Sequence, residues 1–123
     1  MKTVTKKRIL VVDDEAPMRK LLSINLETCG YHVHAARDGF EALQLLNEQP
    51  FDLVLLDISM PGLDGLQILE IVRTTFDIPI VIVSARSNES DKLAAFSRGA
   101  DDYLVKLFGV DDLVARIAPR LGN

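Results

Sequence analysis

Three short apolar runs constrain this chain more than any other feature: Ile9-Leu10-Val11-Val12, Leu53-Val54-Leu55-Leu56 and Ile80-Val81-Ile82-Val83. None shows the polar alternation of a half-exposed strand, and each stops at a polar side chain, respectively Asp13, Asp57 and Ser84. Continuous runs of this length read as strands buried on both faces. Such strands need helices above and below the sheet. Weaker strand candidates are Val33-His34-Ala35-Ala36 and Tyr103-Leu104-Val105, the latter followed by Lys106.

Helical patterns fill the intervals. Asp14 is a candidate N-cap and Pro17 fits a first turn, after which Met18, Leu21, Leu22 and Leu26 recur at three- and four-residue steps until Gly30. A second helix follows Gly39 with Ala42, Leu43, Leu45 and Leu46, and ends before Pro50. A third carries Leu66, Ile68, Leu69, Ile71 and Val72; a fourth carries Leu93, Ala94 and Phe96 and closes at Gly99; a fifth carries Leu113, Val114 and Ile117. Pro119 falls in the fifth pattern and should kink or shorten it. Strand then helix, five times over, predicts an α/β fold with a parallel sheet and right-handed crossovers, in one domain over residues 1–123.

A chain of 123 residues buries roughly two-thirds of its unfolded surface, enough for a core without covalent staples. The single cysteine, Cys29, agrees: one thiol builds neither a disulfide framework nor a cysteine-based zinc site, and it reads as a small buried apolar residue. Fourteen basic against eighteen acidic residues give a net charge of −4, which argues against a nonspecific grip on nucleic acid. The basic start, Met1 to Arg8, leads into an apolar run that meets Asp13 and Asp14 too early for a secretory signal. No stretch approaches the roughly 20 apolar residues of a membrane span. A cytoplasmic location is therefore expected.

In open parallel sheets, ligands bind beyond the carboxyl ends of the strands. There the sequence places Asp13 and Asp14 after the first strand, Asp57 after the third, Ser84 at the fourth and Lys106 after the fifth. Carboxylates brought to about 4 Å repel by about 4 kcal/mol per pair at an effective dielectric of 20, and a hard divalent cation relieves that. Oxygen ligands with positions left for water and phosphate suit Mg²⁺ better than zinc. A cation beside a further aspartate and a lysine suits phosphoryl transfer, with Asp57 as the nucleophile best placed.

With these residues in view, the chain resembles a receiver domain of a two-component response regulator, CheY-like, over essentially its whole length. The resemblance rests on Val11-Val12-Asp13-Asp14-Glu15, on Leu55 through Gly65 with Asp57, Met60, Pro61, Gly62 and Asp64, on Ser84-Ala85, and on Gly99 through Lys106. It implies a doubly wound five-stranded sheet of order 2-1-3-4-5 with five helices, flavodoxin-like. It implies that Asp57 accepts a phosphoryl group from a sensor histidine kinase, that Asp13, Asp14, Asp57 and the Ser59 carbonyl hold Mg²⁺, and that Lys106 pairs with the phosphoryl oxygens. Ser84 resembles the switch hydroxyl, Tyr103 the aromatic that follows it, and Ser59 and Arg86 the positions that tune autodephosphorylation. Such a chain phosphorylates and dephosphorylates itself without being a conventional enzyme, and its added charge shifts a population between conformations.

Lys92, Asp101, Asp102, Asp112 and Arg116 resemble the charged dimer face of winged-helix regulators of the OmpR/PhoB class. That resemblance implies a homodimer formed on phosphorylation and transcriptional output through a DNA-binding domain C-terminal to this one. Two departures stand out. Asn123 occupies a position where a basic residue is expected, and Leu107 follows Lys106 where the family has a cis proline. A non-proline cis bond costs about 2.5–4 kcal/mol, so a trans peptide is expected, with a re-routed loop that puts the reach of Lys106 in question. The rival reading is a degenerate receiver serving as a phosphorylation-independent interaction module. A haloacid-dehalogenase-type phosphatase is disfavoured because position 59 is Ser, and a nucleotide-binding protein because Asp13-Asp14-Glu15 replaces a glycine-rich loop. His32 and His34 are expected at the surface without metal, and Met18 and Met60 in packing roles.

Overall fold

The structure, a computed structural model, describes residues 6–59, 65–106 and 108–122. The elements alternate strictly: β1 Arg8–Val12, α1 Ala16–Thr28, β2 His32–Ala36, α2 Gly39–Glu48, β3 Leu53–Leu56, α3 Gly65–Thr75, β4 Ile80–Ser84, α4 Glu89–Ser97, β5 Asp102–Val105 and α5 Val110–Ile117. All neighbouring strands pair in parallel, in the order β2-β1-β3-β4-β5, the flavodoxin-like arrangement expected. Among the described residues, no helix is long and apolar enough to cross a membrane.

The period-two alternation of the strands divides the core into two layers. Leu10, Val12, Val54, Leu56, Ile80 and Ile82 face Ala42 and Leu46 of α2, Ile68, Leu69 and Val72 of α3, and Ala95 of α4. Ile9, Val11, Leu53, Leu55, Val81 and Val83 face Leu22 and Leu26 of α1 and Leu113 and Ile117 of α5. Every residue of β3 and β4 is buried, which explains the absence of polar alternation in those runs. Met18 packs against the second layer, while Met60 lies outside the described residues.

Several local expectations are corrected. Glu15, and not Asp14, is the N-cap residue of α1, and it makes no side-chain capping bond; Pro17 lies in the first turn as expected and Gly30, at φ 97°, turns the chain out of the helix. Leu21 faces outward, as do Leu93 and Phe96 of α4, so the buried faces of these helices are narrower than their apolar patterns. Cys29 is exposed, because it lies at the α1 C-cap beyond the last core turn. α5 ends at Ile117 and continues as a 3₁₀ turn over Ala118–Leu121, the shortening expected from Pro119.

Gly65 opens α3 against the end of β3. A Cβ built there would stand 2.1 Å from Ile58 Cα and 2.4 Å from the Asp57 carbonyl oxygen, and neither backbone atom can yield alone. Gly65→Ala is expected to displace the Asp57-Ile58 backbone and to lower stability by about 1–3 kcal/mol, the usual cost of overpacking. Urea denaturation of the two proteins, with unchanged m-value, measures it.

Candidate functional site

Strand register brings the polar strand ends together. Val12 pairs with Leu56, and the ladder continues one residue further as the Asp57 amide donates to the Val12 carbonyl at 3.0 Å. Asp13 and Asp57 therefore leave the sheet side by side. On the other flank, Ser84 pairs with Val105 and the Lys106 amide donates to the Ser84 carbonyl at 2.8 Å, which aims Lys106 back over the central strands. Among the described residues, the buried polar or charged ones are Asp13, Asp57 and Ser84, and all three stand at these strand ends.

The Lys106 ammonium lies 3.0 Å from Asp57 Oδ2, 3.0 Å from Asp13 Oδ2 and 3.1 Å from Glu15 Oε1. Lys106 is thus in reach of the acceptor, against the expectation that Leu107 puts that reach in question; Leu107 itself, and with it the expected loop route, lies outside the described residues. Burial alone would depress the Lys106 pKa, but its close ion pairs with Asp13, Asp57 and Glu15 outweigh that and hold it above its ordinary value, fully charged at neutral pH. Asp57 Oδ1 accepts from the Ser59 amide at 2.8 Å, and Asp13 Oδ1 from the Glu15 amide at 2.9 Å, so each carboxylate is oriented by the turn that follows it.

Asp13, Asp14, Glu15 and Asp57 each offer a carboxylate oxygen, all within 4.8 Å of one another, against the single ammonium. Burial raises the Asp13 pKa above its ordinary 3.8, and the Asp57 charge adds to the rise. Asp13 Oδ2 is ion-paired with Lys106 at 3.0 Å but is left a buried oxygen without a hydrogen-bond partner. An all-oxygen donor set with an unsatisfied buried oxygen and excess negative charge fits a hard divalent cation. Glu15 joins the cluster beyond the residues expected from the sequence; its place as the third acid in Asp13-Asp14-Glu15 is the signal that the sequence offers.

Ser84 is fully buried, with its Oγ 3.4 Å from Ser59 Oγ and accepting from the Arg86 amide at 3.1 Å. Tyr103 is buried too, and its hydroxyl donates to the Arg86 carbonyl at 2.7 Å; burial raises its pKa, so the phenol remains a donor. The Arg86 side chain points away to Asp91 at 3.8 Å. The five charged residues expected to form a dimer face, four on α4, β5 and α5 and Asp101 just before β5, are not brought into one cluster. Asp101 accepts from Arg73 of α3 at 2.6 Å and from the Ile80 amide at 2.7 Å, Asp102 pairs with Arg116 at 2.9 Å, and Lys92 lies 3.9 Å from Glu89. Asp112 lines a shallow surface depression with Asp102 and Arg116, and Asn123 is outside the described residues.

A doubly wound sheet with a carboxylate cluster and one lysine at its carboxyl edge defines a class of α/β proteins suited to cation and phosphoryl chemistry. Residues 9–118 match the response regulator receiver domain family, and the chain belongs to it. Among solved structures it is similar to TrrA of Thermotoga maritima in complex with Mg²⁺ and BeF, with 40% identity over 94% of this chain and 99% of that one, at a TM-score of 0.84. The receiver domain of Francisella response regulator 1452 shares 33% identity over 95% and 98% of the two chains, with a TM-score of 0.89. The BeF₃-activated receiver domain of Klebsiella pneumoniae RstA shares 27% identity over 95% and 100%, with a TM-score of 0.91.

Because the raised Asp13 pKa marks a charge that the fold holds unfavourably, unfolding relieves it, and Asp13→Asn should melt at a higher temperature than wild type in the presence of chelator. The sign follows from the folded carboxyl binding its proton more tightly than the unfolded one. The penalty is absent below pH 3.8 and grows as pH rises through the elevated Asp13 range, so the difference in melting temperature should widen from pH 4 to pH 7. Paired thermal melts at those pH values measure it.

Proposed function

We propose that this chain is a phosphoacceptor signalling switch in which Asp57 takes a phosphoryl group from the phosphohistidine of a sensor histidine kinase. The observation that carries the reading is the buried Asp57 carboxylate at the end of the central strand, with Lys106 at 3.0 Å and Asp13 beside it. In the transfer, an Asp57 carboxylate oxygen forms the new bond to phosphorus as the phosphorus–nitrogen bond of the donor breaks. Asp13, Asp14, Asp57 and the Ser59 carbonyl are the proposed Mg²⁺ ligands, with Glu15 completing the acidic wall. A divalent cation bound there supplies charge neutralisation between the carboxylates and the incoming phosphoryl oxygens.

The chain's own residues do the rest. Lys106 is placed to pair with a phosphoryl oxygen, and the Ser59 amide fixes the acceptor carboxylate through Oδ1. Ser84 Oγ, 3.4 Å from the hydroxyl of Ser59 two residues beyond the acceptor, serves as the switch hydroxyl, with Tyr103 following through Arg86. Ser59 and Arg86 tune the lifetime of the phosphorylated state. Crystallisation of the TrrA relative with Mg²⁺ and BeF supports this reading. The proposed output face is α4, β5 and α5, acting in the cytoplasm on transcription; a phosphorylated homodimer through Lys92, Asp101, Asp102, Asp112 and Arg116 would exchange present intrachain pairs, such as Asp102 with Arg116, for intersubunit ones.

Intact mass after incubation with acetyl phosphate tests the chemistry. Wild type should gain one phosphoryl group with Mg²⁺ and none with chelator, and Asp57→Asn should gain none in either. Failure of the folded wild type to gain mass would favour the phosphorylation-independent interaction module, the reading that Leu107 keeps open. Light scattering of the phosphorylated protein should show twice the monomer mass if the face dimerises. Arg116→Ala should then reduce the dimer while leaving the mass gain intact.

A further inference from the structure

We propose that His32 and His34, on the edge strand β2, form a chelating site for a divalent transition ion of the zinc, nickel and copper class. The two residues are separated by one position, so they share a face of the strand, and their rings lean together until the Nε2 atoms stand 3.2 Å apart in a hydrogen bond from one ring to the other. Two nitrogens bound to one metal at about 2.0–2.1 Å lie about 2.9 Å apart at a right angle and about 3.4 Å apart at the tetrahedral angle. The observed separation falls within that bite without movement of the backbone. The ring planes are inclined by only 34°, with centroids 5.1 Å apart.

His34 is held in orientation by an edge-on contact with Phe51, at 5.7 Å between centroids. His32 is exposed, leaving water to fill the remaining coordination positions. The Arg8 guanidinium approaches His34 Nε2 at 3.4 Å, but it is anchored independently: Nε donates to the Pro50 carbonyl at 2.9 Å, Nη2 bonds Gln49 Oε1, and the group lies over the Phe51 ring. An ion shared by the two Nε2 atoms replaces both the His32–His34 hydrogen bond and the long Arg8 contact, while Arg8 keeps its bonds to Pro50 and Gln49.

This pair is separate from the acidic cluster in both position and chemistry. His32 and His34 are in register with Arg8 and Leu10, three to five strand positions before Asp13, or roughly 10–16 Å at about 3.3 Å per residue. Hard Mg²⁺ takes the carboxylates, whereas imidazole donors select borderline ions. Among the described residues, the acidic cluster is the sole group of three or more candidate ligands, so the histidine site has two protein donors.

The test is a zinc chloride titration of isotopically labelled wild-type protein in excess Mg²⁺, following the histidine ring nitrogens by NMR and stoichiometry by calorimetry. One equivalent should shift the Nε2 resonances of both His32 and His34, and Asp13→Asn and Cys29→Ser should bind as wild type does. His32→Gln and His34→Gln should each weaken binding by more than about tenfold, with circular dichroism showing both folded. Unmoved imidazole resonances in the wild type would overturn the proposal, as would zinc affinity unchanged in both histidine variants.

Discussion

One ammonium stands among four carboxylates at the carboxyl edge of this sheet, and the charge there does not balance. Lys106 is within 3.1 Å of Asp13, Glu15 and Asp57, yet Asp13 Oδ2 still lacks a hydrogen bond. Burial disfavours the Asp13 charge and the neighbouring Asp57 charge adds to the penalty, which together raise the Asp13 pKa. The site holds functional groups in an arrangement that lowers stability when empty. Whatever brings positive charge to it, a cation first of all, is favoured by the same term.

The sheet makes this possible. Carboxylates that repel would separate if they stood on loops, but Asp13 and Asp57 are fixed by the last rungs of β1 and β3, with the Asp57 amide bonded to Val12 and the Asp13 amide to Ala36. Those rungs are anchored in turn by strands buried on both faces, where Val12, Leu56 and Ile82 are all but inaccessible. Gly65 completes the frame by letting α3 approach the Asp57-Ile58 backbone without a Cβ. Hydrophobic burial in the core thus sustains an electrostatic strain at the edge.

This division explains what was legible in the sequence. The strands and the polar residues ending them could be read because double burial leaves an unalternating run and a strand must stop somewhere; the strand order came from family resemblance. Less legible was what depends on neighbours. Leu21, Leu93 and Phe96 fit helical periodicity but lie outside the strip that the sheet covers, and Cys29 is exposed because α1 has already left the core. Glu15 was hidden because reaching Lys106 requires a contact 91 residues along the chain. The meeting of His32 with His34 depends on ring orientations set by Phe51 and Arg8, which periodicity does not encode.

The same geometry suggests how the proposed phosphorylation would be felt at β5. Arg86 is tied at both ends of its backbone: its amide donates to Ser84 Oγ, and its carbonyl accepts from the Tyr103 hydroxyl. Ser84 Oγ has in Ser59 Oγ only a long contact of 3.4 Å on the acceptor side. A phosphoryl group on Asp57 offers charged oxygens that bind a hydroxyl more strongly than neutral partners do. If Ser84 turns toward them, the Arg86 amide loses its acceptor, and the loop that presents the Arg86 carbonyl to Tyr103 is free to shift. Tyr103 is buried and its phenol needs a partner, so the ring must follow the carbonyl or find another acceptor. A charge event at the end of β3 is thereby converted into a packing choice at β5, through one residue whose backbone serves both sides.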